Sequence, residues 1–249
     1  MANWSDPRPT AAPFGTSAAD TRGAAYDAGL RSYMLSVYNY MASGVLLTGI
    51  VALLFASGGR DSLAAQVFMA PGILKYVVIF SPLAFIMVLN FGLNRLSTGA
   101  AQMIFWAFAA VMGVSMSTIF LVYTGTSIAI TFFATAVAFL SLSLYGYSTK
   151  RDLSGFGTFL IMGVVGIIVA SLLNLFFKSP AMAMVISAIG VLLFAGLTAY
   201  DTQRIKSMYA YVAGTDMVGK MVIMGALSLY LDFVNMFQFL LSFMGSNRN

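Results

Sequence analysis

Residues 156–177 read FGTFLIMGVVGIIVASLLNLFF, a run of 22 residues without a single charge. At 1.5 Å per residue an α-helix of that length spans about 33 Å, close to the thickness of a bilayer's hydrocarbon core. Lipid cannot hydrogen-bond a bare backbone, so a spanning segment is either a helix or a strand of a closed barrel. The run is too long for a barrel strand and does not alternate between polar and apolar residues, which leaves the helix. Comparable runs lie on either side of it, at 33–56, 75–94, 100–124, 127–147, 181–200 and 220–243. The fold class is therefore an all-α integral membrane protein with seven transmembrane helices. Composition agrees: 60% of the 249 residues are hydrophobic and 8% charged, against roughly 25% charged in an ordinary soluble chain.

Residues 1–31 are polar and contain Pro7, Pro9 and Pro13, so they read as a flexible N-terminal tail ahead of a transmembrane domain at 32–249. The tail is too polar for a signal peptide. Counting Lys and Arg on alternate sides places Arg8, Arg22, Arg31, Arg95, Lys150, Arg151, Arg204, Lys206 and Lys220 with the tail, and Arg60, Lys75, Lys178 and Arg248 opposite. The positive-inside rule then expects a cytoplasmic N-terminus in a bacterial inner membrane. The net charge of +5 reports orientation, and no nucleic-acid partner is expected. Gly163, Gly166, Gly190 and Gly225 fall inside spans, where small residues let helices approach closely. Pro82 falls inside the second span and should kink it.

With no cysteine, histidine or glutamate in the chain, any response to pH near neutrality rests on aspartates in unusual surroundings. Asp232 is the sharpest anomaly, placed near the middle of the run 220–243, where an isolated charge costs about 2.5–3.5 kcal/mol on insertion scales. Projection at 100° per residue puts Gly225, Ser228, Asp232, Asn235 and Ser242 on one stripe of that helix. Asp201 closes the sixth span as read here, on the unfavourable end of the helix dipole, with Arg204 three residues on as the ordinary compensating charge. Arg95 follows Asn90 and Asn94 at the end of the second span. A single arginine there ordinarily snorkels to the interface, although the topology also allows it to reach Asp201. Lys150, Arg151 and Asp152 read as a surface loop. No serine–histidine pair, HExxH, CxxC or phosphate-binding glycine motif is present, so the protein is not expected to be an enzyme and no cofactor is expected.

Three stretches, YSTKRDLSGFG at 147–157, LTAYDTQRIK at 197–206 and LSLYLDFVNMF at 227–237, resemble the Bax inhibitor family in its bacterial branch, also called the transmembrane Bax-inhibitor-motif proteins. The resemblance implies six helices surrounding a central C-terminal seventh. It also implies a pH-sensitive calcium leak, with Asp201 and Asp232 as a hydrogen-bonded pair and Arg95 as a candidate latch. Two carboxyls in contact hold one shared proton more cheaply than two charges, and they titrate as a unit. Calcium favours oxygen ligands, so Asp201 and Asp232, with Ser228 and Asn235 as secondary polar lining, would form a weak and transient site. The expected partners are the bilayer, calcium ions and protons, with a monomer as the expected state. Two alternatives stay open: a non-conducting regulator of a membrane protease or stress response that binds a membrane-protein partner, and a proton-coupled transporter.

Overall fold

The computed structural model describes residues 18–93 and 95–247. Among them lie nine α-helices, α1 Ala18–Ala56, α2 Leu63–Phe68, α3 Leu74–Gly92, α4 Thr98–Met116, α5 Thr118–Val122, α6 Gly125–Ser148, α7 Ser154–Phe177, α8 Pro180–Val212 and α9 Val218–Met244, and one 3-10 turn, Gly59–Asp61. Seven segments are long and apolar enough to cross a membrane, with α4 and α5 together forming the third. Local signals set the starts of several helices. The hydroxyls of Ser97, Thr124 and Ser179 each accept the N–H three residues on, and Pro180 stands at the first position of α8.

Hydropathy and burial are opposed at the two extremes, and this sets the inside and the outside of the bundle. α7 is the most apolar span, with mean hydropathy 2.5 and only 11% of its window buried, whereas α9 is among the least apolar at 1.4 and has 67% buried. Lipid is as apolar as leucine, so a helix carrying polar groups is stable only when protein surrounds it. α9 packs against α1, α4, α6 and α8, while α3 leans on α4 and α7 on α8. Four helices thus enclose α9, and α3 and α7 stand outside them.

α9 runs from one end of the bundle to the other. Beyond its C-terminal end Ser246 accepts a hydrogen bond from the Thr124 N–H, and the Ser246 N–H donates to Ser127, at the start of α6. Near its other end Gly219 lies beside Thr98, at the start of α4. The end of the bundle that carries Arg31, Arg95, Lys150 and Arg151 is called the basic end below.

Several boundaries differ from the sequence reading. The tail drawn at 1–31 ends earlier, because α1 already begins at Ala18; residues 1–17 lie outside the described residues. No proline follows Pro13 until Pro71, and Tyr26 and Tyr33 both stack on Tyr209 of α8, with ring centroids 5.2 and 5.3 Å apart. The sixth span, read as 181–200, continues to Val212, since nothing between Tyr200 and Val212 breaks a helix. Consequently Asp201 sits well inside α8 rather than at its C-terminal end, and the dipole argument lapses. The third span is interrupted at Ser117, whose hydroxyl turns back to the Val114 carbonyl at 2.7 Å.

Pro82 is housed rather than disruptive. It removes the N–H that would bond the Val78 carbonyl, and that carbonyl instead accepts from the hydroxyls of Ser81 (2.8 Å) and of Ser115 on α4 (2.7 Å). Among the glycines, Gly163 faces Leu193, Gly190 faces Phe239 and Gly225 faces Ile205, but Gly166 faces open space and packs against nothing. The closest backbone approach is one the sequence did not single out, Gly146 of α6 against the Ala199 backbone of α8. Replacing Gly146 by leucine should therefore cost about 1–3 kcal/mol, the usual penalty of overpacking, and lower the melting temperature in detergent. Gly166→Leu should melt with the parent, and equal melting of the two variants would contradict this packing.

Candidate functional site: a carboxyl pair between α8 and α9

The contacts between α8 and α9 fix an antiparallel register. The hydroxyls of Ser187 and Ser242 are hydrogen-bonded at 3.0 Å, Gly190 abuts Phe239, and Gly225 abuts Ile205. In that register Asp201 lies level with Ser228, and Asp232 lies one helical turn deeper, level with Thr198. The offset does not separate their carboxyls. A Cα–Cβ bond tilts toward its own helix N-terminus, which aims Asp201 toward the bundle interior and Asp232 toward the basic end. The two side chains lean toward each other, and the charge of Asp201 acts on Asp232.

Asp201 is half-buried and lines a cavity of about 280 Å³ together with Tyr33, Asn90, Leu93, Arg204 and Ser228. α1, α3, α8 and α9 each supply part of this wall. Asp232 lies behind it, 4% exposed, and its Oδ2 is buried with no hydrogen-bond partner among the described residues. A buried polar oxygen without a partner is costly and uncommon in folded proteins. A proton, a cation or water reaching it from the Asp201 side would remove that cost.

The remaining residues singled out from sequence divide. Ser228 stands in the cavity beside Asp201. The Asn235 amide instead donates to the Leu231 carbonyl of its own helix at 2.8 Å, so that donor turns back on α9. Arg95 is exposed in the turn after α3, and the cation whose charge acts on Asp201 is Arg204. Asn94 lies outside the described residues. Arg204 also borders a second, polar cavity of about 360 Å³ with Lys150, Arg151, Asp152 and Gln203, so it stands between the carboxyl pair and the surface of the basic end. There the hydroxyl and N–H of Ser154 hold the Asp152 carboxyl below the usual carboxylate range. Among the described residues no three acidic side chains gather to hold a metal ion. A cation at this site would meet two carboxyls and neutral oxygens.

The family model described as inhibitor of apoptosis-promoting Bax1 matches residues 30–249. The chain belongs to the Bax inhibitor family. This member of it is 47% identical over 225 residues to a protein of Rickettsia prowazekii, covering 90% of this chain and 93% of that one. It is 44% identical over 223 residues to the inner membrane protein YbhL of Escherichia coli, covering 89% and 94%, and 38% identical over 218 residues to the protein YrjE of Lactococcus lactis, covering 87% and 92%.

Sequence inspection of this Bax inhibitor family protein passed over the hydroxyl groups that tie the surrounding helices together. Tyr230 of α9 is hydrogen-bonded to Thr48 of α1 at 2.6 Å, and Thr48 donates to the Ala109 carbonyl of α4 at 2.8 Å. Tyr38 of α1 meets Ser143 of α6 at 3.0 Å, and Ser143 meets Thr202 of α8, next to Asp201, at 2.9 Å. The Gln203 side chain pins the 149–153 loop, accepting from the Leu153 N–H and donating to the Arg151 carbonyl. A single serine or threonine in an apolar run carries little signal, because its hydroxyl can satisfy itself on its own helix. These bonds predict a contrast in thermal unfolding. Tyr230→Phe, which removes the hydroxyl bond from α9 to Thr48 while Thr48 keeps its bond to the Ala109 carbonyl, should lose about 1 kcal/mol. Asp232→Asn, which removes a carboxyl with an unpartnered oxygen, should melt no lower than the parent at neutral pH, and clear destabilisation by Asp232→Asn would show that the carboxyl is a structural anchor.

Proposed function

We propose that this protein is a pH-sensitive calcium leak of the bacterial inner membrane, with the N-terminus cytoplasmic and Asp201 and Asp232 as both proton sensor and transient cation ligands. The observation that carries the reading is the buried Oδ2 of Asp232, without a hydrogen-bond partner among the described residues, beside a second carboxyl that lines a cavity of about 280 Å³. The calcium leak that resemblance to the Bax inhibitor family implies supports calcium as the ion. With one proton shared, α8 and α9 stay together. Without it two like charges face each other in the protein interior, and they separate or draw in a cation. Two carboxyls with neutral oxygens bind calcium weakly, as conduction requires, because a tight site would stall the ion. Arg204, which the sequence reading offered as the ordinary compensating charge, is the charge poised against Asp201 in this reading. No step requires catalysis or a cofactor.

Calcium flux into dye-loaded proteoliposomes, measured across pH, tests this. Asp201→Asn and Asp232→Asn should each change the flux severalfold and abolish its pH dependence. Arg204→Ala should displace the pH response, whereas Arg95→Ala should leave it near the parent's. Parental flux and parental pH response in both aspartate variants would sink the proposal. Removal of residues 1–17, which leaves α1 intact, should leave flux unchanged. A cellular phenotype that vanishes with residues 1–17 while flux persists would favour the non-conducting regulator.

A further inference from the structure

α1 and α6 run antiparallel on the same side of α9, yet they are not packed on each other; each rests on α9. Tyr38 and Ser143 bridge them by one hydrogen bond, and along the rest of their length they stand apart. Three cavities of about 340, 400 and 350 Å³ follow one another down the gap. The first two share Tyr38 and Leu140, and the last two share Val45, Phe132 and Phe233, so together they form one crevice. Arg31 and Tyr147 border it at the basic end, and Ala52 and Gly125 border it at the other. The 21 steps from Arg31 to Ala52 rise about 32 Å, the depth of the hydrocarbon core.

The floor of this crevice is α9 itself, through Phe233, Val234 and Phe237. Its lining is apolar apart from the head. There Arg31 stands exposed, and Lys206 Nζ lies 4.5 Å from the Tyr147 ring centre and donates to the Tyr147 carbonyl. An exposed cation at the head of an apolar slot matches the two halves of an anionic phospholipid, a negative headgroup and a hydrocarbon chain. An empty slot of this size would forfeit the dispersion contacts of its walls.

We propose that the crevice between α1 and α6 is a binding site for an anionic phospholipid, held by Arg31 at its headgroup and by α9 along its acyl chain. The chain lies on Phe233 and Val234, the two residues that follow Asp232, so an occupied and an empty crevice load differently the helix that carries the carboxyl. The site stands apart from the calcium reading and does not depend on it.

Native mass spectrometry of the full chain, released from nanodiscs of mixed phosphatidylglycerol and phosphatidylcholine, tests the site. The parent should retain phosphatidylglycerol in preference to phosphatidylcholine. Ala42→Trp and Ala136→Trp, which fill the crevice from opposite walls, should reduce the lipid-bound fraction severalfold, while Ile161→Trp on the exposed face of α7 should leave it unchanged. Arg31→Ala should keep a bound lipid but lose the headgroup preference. Parental retention in both crevice variants, or an undiminished preference in Arg31→Ala, would overturn the proposal. Phosphatidylglycerol with a photoreactive acyl chain provides a readout on the unmodified protein. Crosslinks should concentrate on α1, α6 and Phe233, and an even spread that includes the outer face of α7 would overturn the site as well.

Discussion

A carboxyl group is kept inside a membrane only where protein takes the place of lipid around it, and the bundle is organised by that requirement. α9 carries Asp232, Asn235, Ser228 and Ser242 on one stripe, and its low hydropathy makes it a poor partner for acyl chains. Enclosure by α1, α4, α6 and α8 removes the conflict. The most apolar helix, α7, lies outside, where lipid contact costs nothing. The same condition explains why the tyrosine and threonine hydroxyls point inward and meet one another: inside the bilayer a polar group finds its partner in the protein or goes without.

The carboxyl pair follows from register and from the direction of side chains on a helix. Ser187 with Ser242, Gly190 with Phe239 and Ile205 with Gly225 set α8 against α9. Antiparallel helices tilt their side chains in opposite directions, so residues one turn apart in depth converge. α8 also continues beyond the membrane boundary, which places Arg204 one turn above Asp201 on the same helix. Asp201 therefore has a carboxyl on one side and a guanidinium on the other, and its own helix supplies the positive charge.

The face of α9 away from α8 meets a different environment. Phe132 of α6 packs on Phe233 and Phe237 with ring centres 5.5 and 6.2 Å apart, but α1 and α6 leave a gap above it. One helix thus presents its polar stripe to protein and part of its aromatic face to a slot open to the bilayer. A helix held between a charged interior and the membrane is placed to feel both.

Sequence alone determined the membrane class, the seven spans and the two aspartates, because each is a local property: run length, hydropathy, and a charge where no charge belongs. It also carried the family, through three short motifs. It misplaced the end of α8, because Lys, Arg and Asp end an apolar run without ending a helix. It credited Gly166 with packing, since spacing along a chain does not reveal which face meets a neighbour. Only the tertiary structure decided that Asn235 spends its amide on its own helix, that a proline's orphaned carbonyl is taken up by two serines, and that α1 and α6 stand apart. Those outcomes depend on the rotation and depth of one helix against another, and the apolar residues that fix them are nearly interchangeable in composition while differing in shape.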